Sequence, residues 1–140
     1  MYAAYRKGAF GDSLPADLDA AGFSEAFRGI VAQVHEVFLL IAPTIRPDAP
    51  VGIMTVQIGL RDDQFIPHAL WFPWASSRNK VEASAWFLSR MGDWKAVVIA
   101  ELKDVRFFNV IRSYGYLRRV GTSVGWFGDD DAAIFETRKR

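Results

Sequence analysis

Apolar residues recur in this chain at two different spacings, and the order in which the spacings alternate leaves few folds open. Residues 36–42 are a β-branched and aromatic run closed by Pro43. Residues 51–58 alternate Ile53, Thr55 and Gln57 against Met54, Val56 and Ile58, and residues 65–74 are rich in aromatics. Each reads as a strand. Between them, 43–50 carries three prolines and 61–64 is Arg-Asp-Asp-Gln, which is turn chemistry, so the three strands predict an antiparallel meander. Beyond this point the spacing switches back and forth. Residues 80–91 place Val81, Ala85, Leu88 and Met91 on one helical face, with Gly92 as the stop and Asn79 and Glu82 in capping-box positions. Residues 95–101 are continuously apolar, as in a buried parallel or central strand. Residues 104–114 predict a helix turning Val105, Phe107, Phe108 and Ile111 inward, with Gly115 just past its end. Residues 116–122 and 132–137 predict two closing strands, joined by 125–131.

Ahead of the meander the sequence reads as helix and loop. Ser13 and Pro15 predict a helix entry over 14–21, and Phe23, Phe27, Ile30, Val31 and Val34 predict a second helix over 23–34 with Ser24 as a candidate cap. No repeat or linker divides the chain, and 140 residues suit one domain spanning 1–140. Hydrophobic residues make up 51% of it, enough for a core and too many for a disordered segment. A net charge of +1 supplies no field to attract nucleic acid or an anionic membrane. With no cysteine, thiolate catalysis, disulfides and cysteine metal sites are excluded, and two histidines give no zinc pattern, so no metal is expected. The longest apolar run, 37–42, is far short of the ~20 residues of a membrane span, and no signal peptide is read at the start.

The element order, helices then meander then β-α-β-α-β-β, predicts an α/β (α+β) domain on a mixed central sheet. Together with Trp71-Phe72-Pro73 at the end of the third strand, Ile111-Arg112-Ser113-Tyr114-Gly115-Tyr116 at a helix end and Leu117-Arg118-Arg119-Val120-Gly121 in the next strand, it resembles the GNAT family of acyl-CoA N-acyltransferases over residues 23–140. The family's first strand has no counterpart. In style the chain is similar to degenerate versions in small proteins of tailed bacteriophages, such as the internal virion protein A of T7-like phages.

The resemblance implies a Gln/Arg-x-x-Gly-x-Gly/Ala segment opening the helix after the Trp71-Phe72-Pro73 strand, where backbone N–H groups hold the pyrophosphate of acetyl-CoA. Here Ser76, Asn79 and Val81 occupy the three defining positions, and Val81 is expected to stand where a phosphate should lie. The tyrosine that many members use as general acid corresponds to Ile111, and Tyr114 falls on another face. His68 is the titratable side chain of its strand and the candidate base. The site expected if CoA binds is Phe72, Ser76, Ser77, Arg78, Asn79 and Lys80; the alternative for 76–80 is a solvated helix cap, and for His68 a packing role. Trp71, Phe72, Trp74, Trp86, Phe87 and Trp94 form either core or an exposed aromatic face.

The expected function is therefore a GNAT-fold phage protein without catalysis, a virion-associated or accessory component meeting other phage proteins or itself through an aromatic surface or a sheet edge. It would carry no cofactor and reside in the virion or host cytoplasm. The alternative is an active N-acetyltransferase that uses acetyl-CoA and acts on an unspecified amine.

Overall fold

In the computed structural model, residues 1–10, 14–59, 64–91 and 95–138 are described. The meander forms as β1 (Glu36–Leu40), β2 (Gly52–Ile58) and β3 (Gln64–Trp71), paired antiparallel. Then come β4 (Lys95–Glu101), β5 (Leu117–Phe127) and β6 (Asp130–Thr137), and the six strands form one sheet in the order β1-β2-β3-β4-β6-β5. β3 and β4 are parallel, whereas β4–β6 and β5–β6 are antiparallel. A parallel step needs a crossover, and α3 (Ser77–Arg90) is that crossover. α4 (Val105–Ser113) follows β4 through a 3₁₀ turn at Leu102–Asp104. Gly115, at φ +87°, ends it in the left-handed conformation that glycine adopts without penalty. This is the mixed α+β architecture expected from the sequence.

Strand alternation sorts the core between two faces. Ile53, Leu70 and Phe72 meet Phe10, Phe23 and Phe27 from the N-terminal segment and the helix Ala20–Val31. Met54 and Val56 turn the other way, onto Ala83 and Phe87 of α3. α4 shares the face of α3: Ile111, Phe107 and Phe108 pack on Val98, Ala100, Leu117 and Phe135, with Phe108 stacked 5.5 Å from Phe135. Leu88 packs against both clusters and joins them.

Three expectations are corrected. The helix expected over 14–21 does not form; its proposed cap, Ser13, lies outside the described residues. Instead α1 is a single turn at Tyr2–Tyr5, and the Tyr5 hydroxyl accepts from the Leu18 N–H at 2.8 Å and donates to the Pro15 carbonyl. That tertiary partner captures the backbone a helix would have used. α2 (Ala20–Val31) begins behind Asp19, whose Oδ1 accepts from the Gly22 N–H at 2.7 Å, so Ser24 is inside the helix and caps nothing.

Second, α3 begins at Ser77 and not at residue 80, because Ser76 and Asn79 form the capping box in place of Asn79 and Glu82. Third, β5 runs on to Phe127 where a connection was expected. It passes Gly125 with register shifts at Arg119/Gly121 and Ser123/Phe127, and the Gly125 N–H is bonded to Asp131 Oδ1 at 3.0 Å. Glycine and aspartate mimic a turn here because this edge strand is bulged. Gly92 and Trp94 lie outside the described residues. Among the described residues no helix is long and apolar enough to cross a membrane.

Candidate functional site

β3 has two unlike neighbours. It pairs with β2 over seven positions, from Gly52↔Trp71 to Ile58↔Phe65, but with β4 over two, Gln64↔Lys95 and Phe65↔Ala96. The reason is legible in the hydrogen bonds. The Phe72 N–H donates to the Val51 carbonyl at 2.9 Å, a bond that flanks a facing pair whose own amides point apart. Gly52 and Trp71 are that pair, so by period two Trp71, Ala69 and Pro67 turn their backbone polar groups toward β4. On β4, the Ala96 N–H turns to the opposite side and bonds Thr137 Oγ1 at 2.9 Å, which leaves the Val97 carbonyl facing β3. Residue 67 is the next donor the parallel ladder needs. It is proline, it has no N–H, and the ladder stops.

The seam opens into a cleft of about 490 Å³. Pro67, His68, Ala69 and Trp71 form its β3 wall, Val98 and Ile99 its β4 wall, and Ser77, Lys80, Ser84, Phe87 and Leu88 of α3 lie along it. Phe107, Phe108 and Ile111 of α4 complete the apolar lining. Trp71 meets Phe107 edge-on at 6.3 Å, and Lys80 Nζ lies 6.0 Å from the Trp71 ring centre. The backbone N–H groups of Ala69 and Trp71 thus face a channel with apolar walls.

The start of α3 closes one end. Ser76 Oγ accepts from the Asn79 N–H at 3.2 Å and donates to Asn79 Oδ1 at 2.9 Å, and the Ser76 N–H donates to the same Oδ1 at 3.1 Å. The Lys80 N–H is bonded to the Ser76 carbonyl at 3.0 Å. Among the described residues this leaves the N–H groups of Ser77 and Arg78 free at the positive end of the helix dipole. Of the residues singled out in sequence, Ser77, Lys80 and His68 come together on the cleft. Ser76 and Asn79 are committed to each other, and Phe72 packs with the N-terminal aromatics away from it. Val81 lies in the second turn of a formed helix, because the capping box places the helix start four residues upstream of it.

Two groups were not anticipated. Asp104, just before α4, lines the same cleft as His68. Sequence pointed only to its place at the start of the helix expected over 104–114. Glu82, read as part of a cap, accepts with Oε1 from the Thr44 N–H at 2.9 Å and from the Thr44 hydroxyl, pinning the β1–β2 loop to α3. Desolvation would raise the Glu82 pKa, but these bonds, the Ile45 N–H and the charge of Arg78 outweigh it and hold the carboxyl below its ordinary value. Desolvation by the surrounding strands lowers His68 below the ordinary histidine value. Ile111, in the family's tyrosine position, is buried at 1% exposure.

No family sequence model matches the chain, and no curated protein matches it in sequence. Solved structures do. Spermidine N-acetyltransferase from Vibrio cholerae in complex with CoA and spermine superimposes with a TM-score of 0.63 at 9% identity, covering 95% of this chain and 83% of that one. A probable GNAT-family acetyltransferase from Chromobacterium violaceum gives a TM-score of 0.62 at 16% identity, covering 96% and 80%. The chain has the GNAT fold. A third likeness is to the NatC complex bound to Gag peptide and CoA, with a TM-score of 0.57 at 9% identity over 99% of this chain and 91% of that one.

The residues present fit an acyl-CoA. Free amides at Ser77 and Arg78 with the Arg78 and Lys80 cations suit a diphosphate, and the apolar channel with inward strand amides suits a slender amide-bearing arm. Bound there, such a molecule supplies an acyl group activated as a thioester.

Proposed function

We propose that this chain, acting as one unit over residues 1–140, is an acyl-CoA-dependent N-acyltransferase that uses the β3–β4 cleft. The observation that carries the reading is the opened parallel seam, which leaves strand amides unpaired along an apolar channel that ends at a helix N-terminus. Ser77, Arg78 and Lys80 hold the phosphates, and the Ala69 and Trp71 N–H groups offer donors to a developing oxyanion. His68 and Asp104, which both line the cleft, are the proton acceptors for an incoming ammonium, and the lowered pKa favours neutral His68 at pH 7. α4 offers no proton donor at Ile111, so the departing sulfur is left to leave as thiolate or to take its proton from solvent.

The test is a calorimetric titration of the full chain with acetyl-CoA and CoA, followed by thiol release with a panel of primary amines. Micromolar binding that Lys80→Ala weakens about tenfold is expected. Absence of heat at millimolar ligand sinks the reading.

A second reading keeps the fold and drops the chemistry: a GNAT-fold bacteriophage protein serving as a virion-associated or accessory component. It is favoured by Ile111 in place of an acid and by Val124 and Trp126, exposed at 86% and 49% on edge strand β5, where a protein partner or second copy would dock. Mass spectrometry of purified particles checks it; absence of the chain from them removes it.

A further inference from the structure

Two polar side chains are buried among the described residues, and their surroundings differ. Asn79, 5% exposed, is committed to the capping box with Ser76. Ser84, 6% exposed on the inner side of α3, has no hydrogen-bond partner among the described residues. A serine inside a helix ordinarily turns its hydroxyl back to a carbonyl of the preceding turn. Ser89 and Ser113 do so, each at 2.6 Å, to Trp86 and Val110. Ser84 makes no such bond, and it lines the cleft. A buried hydroxyl without a partner costs stability, so this one calls for a ligand atom to complete it.

The neighbours of Ser84 fix what it meets. α3 links two parallel strands and so runs opposite to β3. Met54 of β2 pairs with Ala69, and it shares a core cluster with Ala83 and Phe87, which bracket Ser84 on α3. Lys80, one helical turn before Ser84, lies over Trp71, two residues past Ala69. Both contacts set Ser84 level with Ala69, whose N–H is offered to the developing oxyanion. In a thioester held there by its carbonyl oxygen, the sulfur sits on the same carbon and faces the helices. Their other side chains around it, Phe87, Leu88, Phe108 and Ile111, are apolar.

We propose that Ser84 is a catalytic residue whose hydroxyl donates a hydrogen bond to the sulfur as the thiolate departs. This rests on the acyl-CoA reading of the cleft. The amine attacks the thioester carbon, the C–N bond forms, and the C–S bond breaks with its electron pair passing to sulfur. The ammonium proton goes to the base in the cleft. Ser84 keeps its own proton, because an alcohol is a far weaker acid than a thiol, and the thiolate takes one from solvent on release. The bond is stronger to a charged sulfur than to a neutral thioester, so it favours the departing state.

The experiment compares the parent chain with Ser84→Ala in two measurements. In thermal unfolding without ligand, loss of an unpartnered hydroxyl should not lower the midpoint. A fall of several degrees would show that the hydroxyl is bonded within the fold, and overturns the proposal. Next, CoA and desulfo-CoA are titrated calorimetrically, and the thiolate of bound CoA is followed by its ultraviolet absorbance as pH rises. At a given pH the ratio of thiolate to thiol should be about tenfold higher in the parent chain than in the variant, while desulfo-CoA binds both alike. Equal ionisation in the two chains, or an equal loss of CoA and desulfo-CoA affinity in the variant, overturns the role of Ser84 and leaves the cleft reading standing. Failure of CoA to bind the parent chain overturns both.

Discussion

The two sides of β3 are built from one strand and behave as opposites. Toward β2 it is sealed over seven facing pairs, with Gly52 so close to the neighbouring strand that an added Cβ would sit 2.5 Å from the Leu70 carbonyl oxygen. Toward β4 it is joined at two pairs and then parts. The composition of the strand does not separate these sides, since both are bordered by apolar residues. What separates them is whether the backbone has a donor at the position where the ladder needs one. A sheet can therefore be closed on one side and open on the other by a single residue, provided its alternation aims the missing N–H at the correct neighbour.

Substitutions can break each side in turn. The largest effect is expected from Gly52→Val on the sealed side, where the branched side chain meets backbone that cannot yield; a loss of about 3 kcal/mol in urea unfolding is expected. Unchanged stability would mean the seam tolerates a shift. Pro67→Val acts on the open side by returning a donor opposite the Val97 carbonyl. The new bond is worth about 1 kcal/mol and is partly offset by the freer unfolded chain, so stability should move little. Amide exchange is the sharper reading: a protected amide at 67 and at least a tenfold loss of CoA affinity are expected. Rapid exchange at 67 with full affinity would show that something other than the proline holds the seam apart.

Thr44→Val tests the loop that flanks the open side. Removing the hydroxyl bonded to Glu82 should cost about 1 kcal/mol at pH 7. Because the folded carboxyl sits below its ordinary 4.5, its contribution is present above that pH and is lost as pH falls through the folded value. The variant should thus differ from the parent chain at neutral pH and converge with it in acid. The smallest effect is at His68. Its folded pKa is below the ordinary 6.5, so the unfolded chain binds the proton more readily, and stability should decline as pH drops below 6.5. The group is well exposed, so the slope is shallow, and His68→Gln should flatten it.

Much of the fold was legible because period and punctuation agree along most of the chain. The meander, the crossover helix, the apolar β4 and Gly115 at the end of α4 all follow from spacing and turn residues. The N-terminal segment was not legible, because a hydroxyl from Tyr5 takes the backbone partners that a helix over 14–21 would have used. β5 was misread since a bulged edge strand and a turn share glycine and aspartate. At the site, Ser77, Lys80 and His68 could be found by alignment with a family pattern. The steric objection drawn from Val81 took the helix to begin at residue 80, whereas the capping box of Ser76 and Asn79 begins it at Ser77 and leaves Val81 inside it. Pro67 was in view as one residue of a strand, but its meaning needs the direction of its missing amide. Only the paired strands reveal that.

The Tyr5 hydroxyl has a reach beyond its own bonds. A lone oxygen buckles the opening stretch onto the segment ahead of α2, and Lys7 rides on that buckle. The charge beside the Trp74 ring, which Lys7 and Arg46 supply, is thus set in part by a phenol that never touches it, and a chain beginning after residue 5 would keep its sheet while misplacing one of the two cations there.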